Sequence, residues 1–112
     1  MIVTEVILGD FIEQKANQLT QFLQAFYASS IPFKELELFL WDTLEEWHQL
    51  KVSPNFPISH KEQVFWHLVQ QVSFWSEDNL KNELYLHSEI QACMDFLQNK
   101  ACLPIDCIGV RP

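Results

Sequence analysis

The chain has 112 residues, of which 48% are hydrophobic and 13% aromatic, and only two are glycine. Fifteen Asp and Glu against seven Lys and Arg give a formal net charge of −8. This length suits one compact domain, so residues 1–112 are assigned to a single unit, and the high apolar content excludes a disordered chain. The acidic charge disfavours binding to nucleic acid or to an anionic membrane, because both require a cationic face.

The compartment is inferred from the first residues and from the cysteines. Residues 1–10 contain no Lys or Arg and no long apolar core, so no signal peptide is predicted. No apolar run in the chain approaches the length needed to cross a bilayer. Cys93, Cys102 and Cys107 form no disulfide-framework pattern. We therefore expect a cytoplasmic protein with reduced, buried thiols and no cofactor.

Hydrophobic residues recur at three- and four-residue steps through most of the chain, which is the spacing of amphipathic helices. Asp10 and Glu13 have capping-box spacing and predict a first helix that begins at residue 10. Pro32 suits the first turn of a second helix, and Ser59 with Glu62 forms another capping box. The predicted helices span residues 10–29, 32–50, 59–74 and 76–99.

Four amphipathic helices with short connections can bury their apolar stripes together only as a bundle, so the predicted fold class is all-α and four-helix bundle-like. The β-branched residues 2–8 predict a short extended segment. The tail, residues 101–112, is apolar enough that we expect it to pack back over the bundle, beside residues 2–8. Arg111 is the only arginine, and we expect it to anchor the tail by pairing with an acidic helix.

Histidines and carboxylates offer no convincing catalytic site. Glu45 and His48 have the i, i+3 spacing of a carboxylate-bridged metal pair, which needs a second such motif in the bundle. Glu62 and His67 are five residues apart and point to different sides of a helix, so a solvated charged face is predicted instead. A carbonyl or carboxylate partner is expected for His67. The sequence also lacks a phosphate-binding glycine loop and a G-x-S-x-G turn, so the protein is not expected to be an enzyme.

The three cysteines raise a second metal hypothesis. Three thiolates and one histidine would satisfy tetrahedral zinc, but the chain lacks the close C-x2–4-C pairs that zinc sites usually show. Buried cysteine also behaves as a small apolar residue, and the neighbouring Ile105, Ile108 and Val110 favour such a setting. Buried thiols without a metal are therefore the expectation.

The aromatic content is the more informative feature. Nine Phe, four Trp and two Tyr are more than a core of this size can hide, so some rings on the second and third helices are expected at the surface. Trp and Tyr are enriched at protein interfaces. The candidate partner-binding residues are the four tryptophans, Trp41, Trp47, Trp66 and Trp75. These features predict a small non-catalytic adaptor or regulator that binds an unknown protein partner or forms a homodimer.

The acidic surface supports an alternative function. An acidic bundle can imitate the phosphates of a nucleic acid and occupy a basic cleft, as inhibitors and immunity proteins do. The carboxylates of the second and fourth helices would form this surface: Glu35, Glu37, Asp42, Glu45, Glu46, Glu77, Asp78, Glu83, Glu89 and Asp95. Binding of this kind would weaken steeply with salt.

Overall fold

The computed structural model describes residues 5–112, and these residues form five helices and no strand. The helices are α1 (Glu5–Tyr27), α2 (Phe33–Leu50), α3 (His60–Phe74), α4 (Glu77–Asn82) and α5 (Leu84–Leu97). Because α4 and α5 together occupy the region of the fourth predicted helix, the all-α, bundle-like fold class is confirmed. None of these five helices is both long enough and apolar enough to cross a membrane.

Helix α1 begins earlier than the capping box predicted. Residues 5–8 are helical, so the strand prediction is wrong there, while residues 2–4 lie outside the described residues. Leu8 and Ile12 are four residues apart and both are buried, so helical geometry places them on one core-facing stripe. This burial overrides the β propensity of the segment. Asp10 therefore lies inside the helix, and Glu13 pairs with Lys61 of α3 instead of capping.

The fourth predicted helix is broken at Glu83. This residue has an extended backbone, ends α4, and begins α5 by accepting a hydrogen bond from the backbone N–H of Tyr85. Ser76 caps α4 as expected, and its hydroxyl accepts from the backbone N–H of Asn79. The break changes the helical phase, so Leu84 is 83% exposed although an uninterrupted helix would have turned it inward.

The core is formed by the facing stripes of α1, α2, α3 and α5, and α1 contacts each of the other three. Aromatic rings link these stripes: Phe22 of α1 stacks on Phe39 of α2, with centroids 4.6 Å apart. At the end of α1, the hydroxyl of Tyr27 donates to the carbonyl of Leu80 at 3.0 Å and so joins α1 to α4. Burial raises the pKa of Tyr27 to about 12.

Helices end without glycine. Ser29, Lys51 and Asn99 each take up a left-handed backbone, with φ of 60°, 55° and 62°, just after α1, α2 and α5. Glycine is the usual residue at such a position because it carries no Cβ. The chain has only two glycines, and neither lies at a helix end. Residues with side chains therefore adopt the strained left-handed backbone at these three turns.

The tail folds back over the bundle, as predicted, and lies along α3. The backbone N–H of Gly109 donates to the carbonyl of Gln63 at 2.9 Å, and the side-chain amide of Gln70 donates to the carbonyl of Val110 at 2.8 Å. These two hydrogen bonds join the tail to α3. The predicted strand beside the tail is wrong for residues 5–8, which belong to α1, while residues 2–4 lie outside the described residues.

Gly109 packs directly against the backbone of α3, and we predict that Gly109→Ala lifts the tail away from α3 at this position. A Cβ at this position would lie 2.2 Å from the backbone nitrogen of His67 and 2.6 Å from the carbonyl carbon of Trp66. Backbone atoms inside a helix cannot move aside, so the tail must lift and lose its hydrogen bond to Gln63. We expect a loss of about 1–2 kcal/mol in the free energy of unfolding and faster proteolysis of the tail.

The other glycine is a matched control for this variant. Gly9 lies inside α1, and a Cβ there would meet nothing within 4 Å. Gly9→Ala should therefore stabilise the protein by about 0.5–1 kcal/mol, because alanine favours the helix. Urea unfolding and limited proteolysis of both variants provide the measurement. Unchanged stability and an equally protected tail in Gly109→Ala would contradict the contact.

Candidate functional site

A groove of about 530 Å³ lies between α2 and the end of α3. We call it the aromatic groove, because Trp41, Phe74 and Trp75 line it together with apolar residues of the core edge. Its lining residues are Phe33, Glu37, Leu40, Trp41, Leu44, Val72, Ser73, Phe74, Trp75 and Ser76.

Helix geometry and the end of α3 place the three rings. Trp41 follows the buried Leu40 on α2, so it turns away from the core and is 70% exposed. Phe74 is the last residue of α3 and is 75% exposed, while Trp75 is the capping residue and is 37% exposed. The rings of Phe74 and Trp75 meet edge to face with centroids 4.9 Å apart. The indole N–H of Trp75 donates to the side chain of Gln71, which fixes the ring.

Two of the four candidate tryptophans lie in the core, so the prediction that they bind a partner is corrected. Trp66 is fully buried and Trp47 is 5% exposed, and their rings meet at 4.9 Å. Residues 64–66 are all buried, because the tail covers the side of α3 that would otherwise face solvent. Trp41 and Trp75 lie at the surface.

A buried charge cluster joins the tail to this core. Arg111 forms a two-pronged ion pair with Glu62, with its Nε 2.6 Å from Oε2 and its Nη2 2.9 Å from Oε1. Two further N–H groups of the guanidinium donate to the carbonyls of Phe56 and Pro57. Glu62 also accepts from the indole N–H of Trp66 at 3.0 Å and is 1% exposed. The predicted anchoring of the tail by Arg111 is confirmed, but its partner lies on α3, whose only Lys, Arg, Asp or Glu residues are Lys61 and Glu62, and not on an acidic helix. The hydrogen bonds to Glu62 raise the pKa of Arg111.

This cluster changes the interpretation of the Ser59–Glu62 motif. The hydroxyl of Ser59 accepts from the backbone N–H of Glu62 at 3.1 Å, which confirms the cap itself. The carboxylate of Glu62, however, is turned inward to Arg111 and Trp66 rather than back to the start of α3. Motif spacing alone could not distinguish these two uses of the same glutamate.

A second polar cluster lies where the tail meets α3 and α5. The ligand atoms of His67, Cys93 and Cys107 all lie within 4.8 Å of one another. Glu89 lies 2.9 Å from the Nε2 of His67, which confirms the expected carboxylate partner, and 3.7 Å from the sulfur of Cys107. Burial, followed by the proximity of Cys107 and Glu89, raises the pKa of the Cys93 thiol. Burial also raises the pKa of Cys107.

The third cysteine and the other metal hypothesis lie elsewhere. Cys102 is exposed, so the expectation of buried thiols is wrong for this residue. It is also not in the His67 cluster, so the structure brings together two of the three cysteines. Glu45 and His48 are both exposed on α2. Among residues 5–112, only the His67 cluster groups three or more metal-ligating side chains, so Glu45 and His48 do not share such a group.

The charges near the aromatic groove are mostly negative. Glu37 lines the groove, and α2 as a whole carries five carboxylates and one lysine. On the far side of α2, Glu46 pairs with Lys15 of α1, so one carboxylate of the predicted acidic surface is neutralised. Glu89, also assigned to that surface, pairs with His67 instead.

Comparison with known proteins gives no functional assignment: no protein-family model, curated protein or solved structure matches the chain. The interpretation of these sites therefore depends on their own geometry and chemistry.

Sequence reasoning missed Phe74 as a surface residue. The predicted third helix, residues 59–74, ends at this residue, and the sequence pattern assigns it no role. The available signal was the Phe74–Trp75–Ser76 sequence: Ser76 begins the next helix, so the two preceding rings fall at a helix junction, where fewer neighbours cover them. Two consecutive aromatic residues at such a junction are difficult to bury together.

Proposed function

We propose that the protein is a small non-catalytic interaction domain that binds an apolar, basic segment of a partner protein in the aromatic groove. The observation that carries this proposal is the exposure of Trp41 and Phe74, on two different helices, in one groove. We propose that this activity is cytoplasmic, because Cys93, Cys102 and Cys107 form no disulfide bond.

Exposed aromatic rings at this density support recognition of a partner. A large ring left in water forgoes the hydrophobic free energy that its burial would provide, and contiguous exposed apolar patches commonly mark interaction sites. Trp is also among the residues that contribute most to binding when a partner covers it. Beneath these rings Leu40 and Val72 are buried, so the groove has a packed floor.

The charge pattern supports a basic partner. Glu37 within the groove and the carboxylates of α2 would attract lysine or arginine side chains that flank an apolar anchor. Homodimer formation through the same groove would bring together two chains that each carry a net charge of −8. Long-range repulsion therefore favours a basic partner over a second copy.

The proposal predicts that single changes in the groove weaken binding without unfolding the protein. The probe is an 18-residue peptide with leucines at helical spacing and lysines elsewhere, labelled for fluorescence anisotropy. Trp41→Ala and Phe74→Ala should each raise its Kd by about 10- to 30-fold, the effect of losing an interfacial hot spot. Tyr85→Ala is the matched control, because Tyr85 is 82% exposed but does not line the groove.

Two further peptides separate this proposal from its alternatives. A peptide with glutamate in place of each lysine should bind at least tenfold more weakly. A scrambled leucine–lysine peptide of equal charge tests the acidic-mimic alternative. The groove proposal would be overturned if the scrambled peptide bound as tightly as the original leucine–lysine peptide, if salt weakened that binding and if Trp41→Ala left it unchanged. This result would favour the acidic surface as the binding site. A concentration-dependent dimer abolished by Trp41→Ala would instead assign the groove to a second copy.

A further inference from the structure

We propose that His67, Cys93 and Cys107 bind one zinc ion, with Glu89 as the fourth ligand. The site would fasten the tail, through Cys107, to α3 and α5. This differs from the sequence-based expectation of metal-free thiols, and it does not depend on the proposed interaction function.

The distances suit a tetrahedral ion. The three ligand atoms of His67, Cys93 and Cys107 lie within 4.8 Å of one another. The carboxylate of Glu89 lies 2.9 Å from the Nε2 of His67 and 3.7 Å from the sulfur of Cys107. Around zinc, with bonds of about 2.0 Å to N or O and 2.3 Å to S, neighbouring ligand atoms are about 3.3–3.8 Å apart. Glu89 is not one of the residues whose ligand atoms all lie within 4.8 Å of one another, so its carboxylate must move closer to the other ligands to complete the tetrahedron.

The donor set also points to zinc. Two thiolates, one imidazole and one carboxylate are ligands that zinc accepts, whereas calcium and magnesium prefer oxygen donors alone. Cys93 and Cys107 are buried and the side chain of His67 is 12% exposed, so three ligand positions are shielded from water. Glu89, whose side chain is 28% exposed, would fill the fourth position in place of water. A closed, four-ligand site is typical of structural zinc.

The tail contact with α3 assembles the cluster. Gly109 lies against the backbone of His67, which brings Cys107 of the same tail close to α5. The ligands thus come from α3, α5 and the tail, three segments that are distant in sequence. This origin explains why the close C-x2–4-C spacing is absent from the sequence.

Metal binding is tested on the full chain, reduced and then dialysed against metal-free buffer. Addition of zinc followed by a second dialysis should leave about one equivalent of zinc per chain. Titration with cobalt(II) in place of zinc should produce intense d–d absorption, which indicates a tetrahedral site, and near-ultraviolet charge-transfer bands equivalent to two thiolate ligands.

Four variants then locate the site. Substitutions outside the ligand set typically weaken metal affinity by about 10- to 100-fold. We expect a larger loss of affinity in each of the three ligand variants, Cys93→Ser, Cys107→Ser and His67→Gln. Cys102→Ser is the matched control, because Cys102 is an exposed cysteine of the same tail, and it should bind zinc as the unaltered chain does. Circular dichroism checks that each variant is folded.

Several results would overturn the proposal. These are less than about a tenth of an equivalent of zinc after reconstitution, a cobalt spectrum without thiolate bands, or an equal loss of metal in Cys102→Ser. Formation of a Cys93–Cys107 disulfide in a protein whose reduced form binds no cobalt would also overturn it. If a ligand variant fails to fold, the zinc content and cobalt spectrum of the unaltered chain decide the question.

Discussion

Replacement of Arg111 by alanine is expected to lower the free energy of unfolding by about 3 kcal/mol, at the lower end of the range for breaking a buried ion pair. Glu62 is 1% exposed, and without the guanidinium its carboxylate would keep the indole N–H of Trp66 as its only observed side-chain hydrogen-bond donor. The carbonyls of Phe56 and Pro57 lose their partner as well. Detachment of the tail would let water reach the carboxylate, which limits the loss.

A double variant separates charge burial from simple loss of contacts. Glu62→Gln keeps an acceptor for the indole of Trp66 but removes the charge, so Glu62→Gln combined with Arg111→Ala should be more stable than Arg111→Ala alone. Denaturant unfolding of the four members of this cycle gives the coupling energy. Additive effects of the two substitutions would show that the pair does not act as a unit.

Trp66→Ala is expected to have an equally large or larger effect, a loss of about 3–5 kcal/mol. The ring of Trp66 is fully buried between those of Trp47 and Phe65, with centroids 4.9 and 4.8 Å away, and its N–H binds Glu62. Removal leaves a large cavity and takes one hydrogen bond from a buried carboxylate.

Trp41 is the control for this substitution, because it is the same residue type at 70% exposure. Trp41→Ala should change the free energy of unfolding by no more than about 0.5 kcal/mol. Urea unfolding followed by far-ultraviolet circular dichroism measures both variants without reliance on tryptophan fluorescence. A comparable loss in the two variants would contradict the assignment of one tryptophan to the core and the other to the surface.

The helices were largely predictable because their apolar spacing is a local property of the sequence. The ends of the helices were less predictable. The β-branched residues and the Asp10–Glu13 spacing predict that Glu5 to Gly9 precede the first helix. In the structure these residues are helical, because the helix buries Leu8 in the core. The helix breaks at Glu83 although no proline or glycine lies near this residue in the sequence.

The candidate sites depend on contacts between distant segments, which the sequence does not record. Arg111 was predicted to pair with a carboxylate, yet nothing in the spacing selected Glu62, forty-nine residues away. The burial of Trp66 follows from the same contact, because the tail closes over α3. Likewise, Cys93 and Cys107 were recognised as possible ligands, but Glu89 was assigned to the acidic surface rather than to the position beside them.

The central claim, that the aromatic groove binds a partner segment, is tested most directly by the four indole N–H signals in a ¹H–¹⁵N correlation spectrum. Each signal is assigned by a Trp→Phe variant, and the leucine–lysine peptide is then added to the unaltered protein. Trp41 and Trp75 line the groove, so their signals should shift, while those of the buried Trp47 and Trp66 should stay in place. Unchanged signals from Trp41 and Trp75 at saturating peptide would contradict the claim.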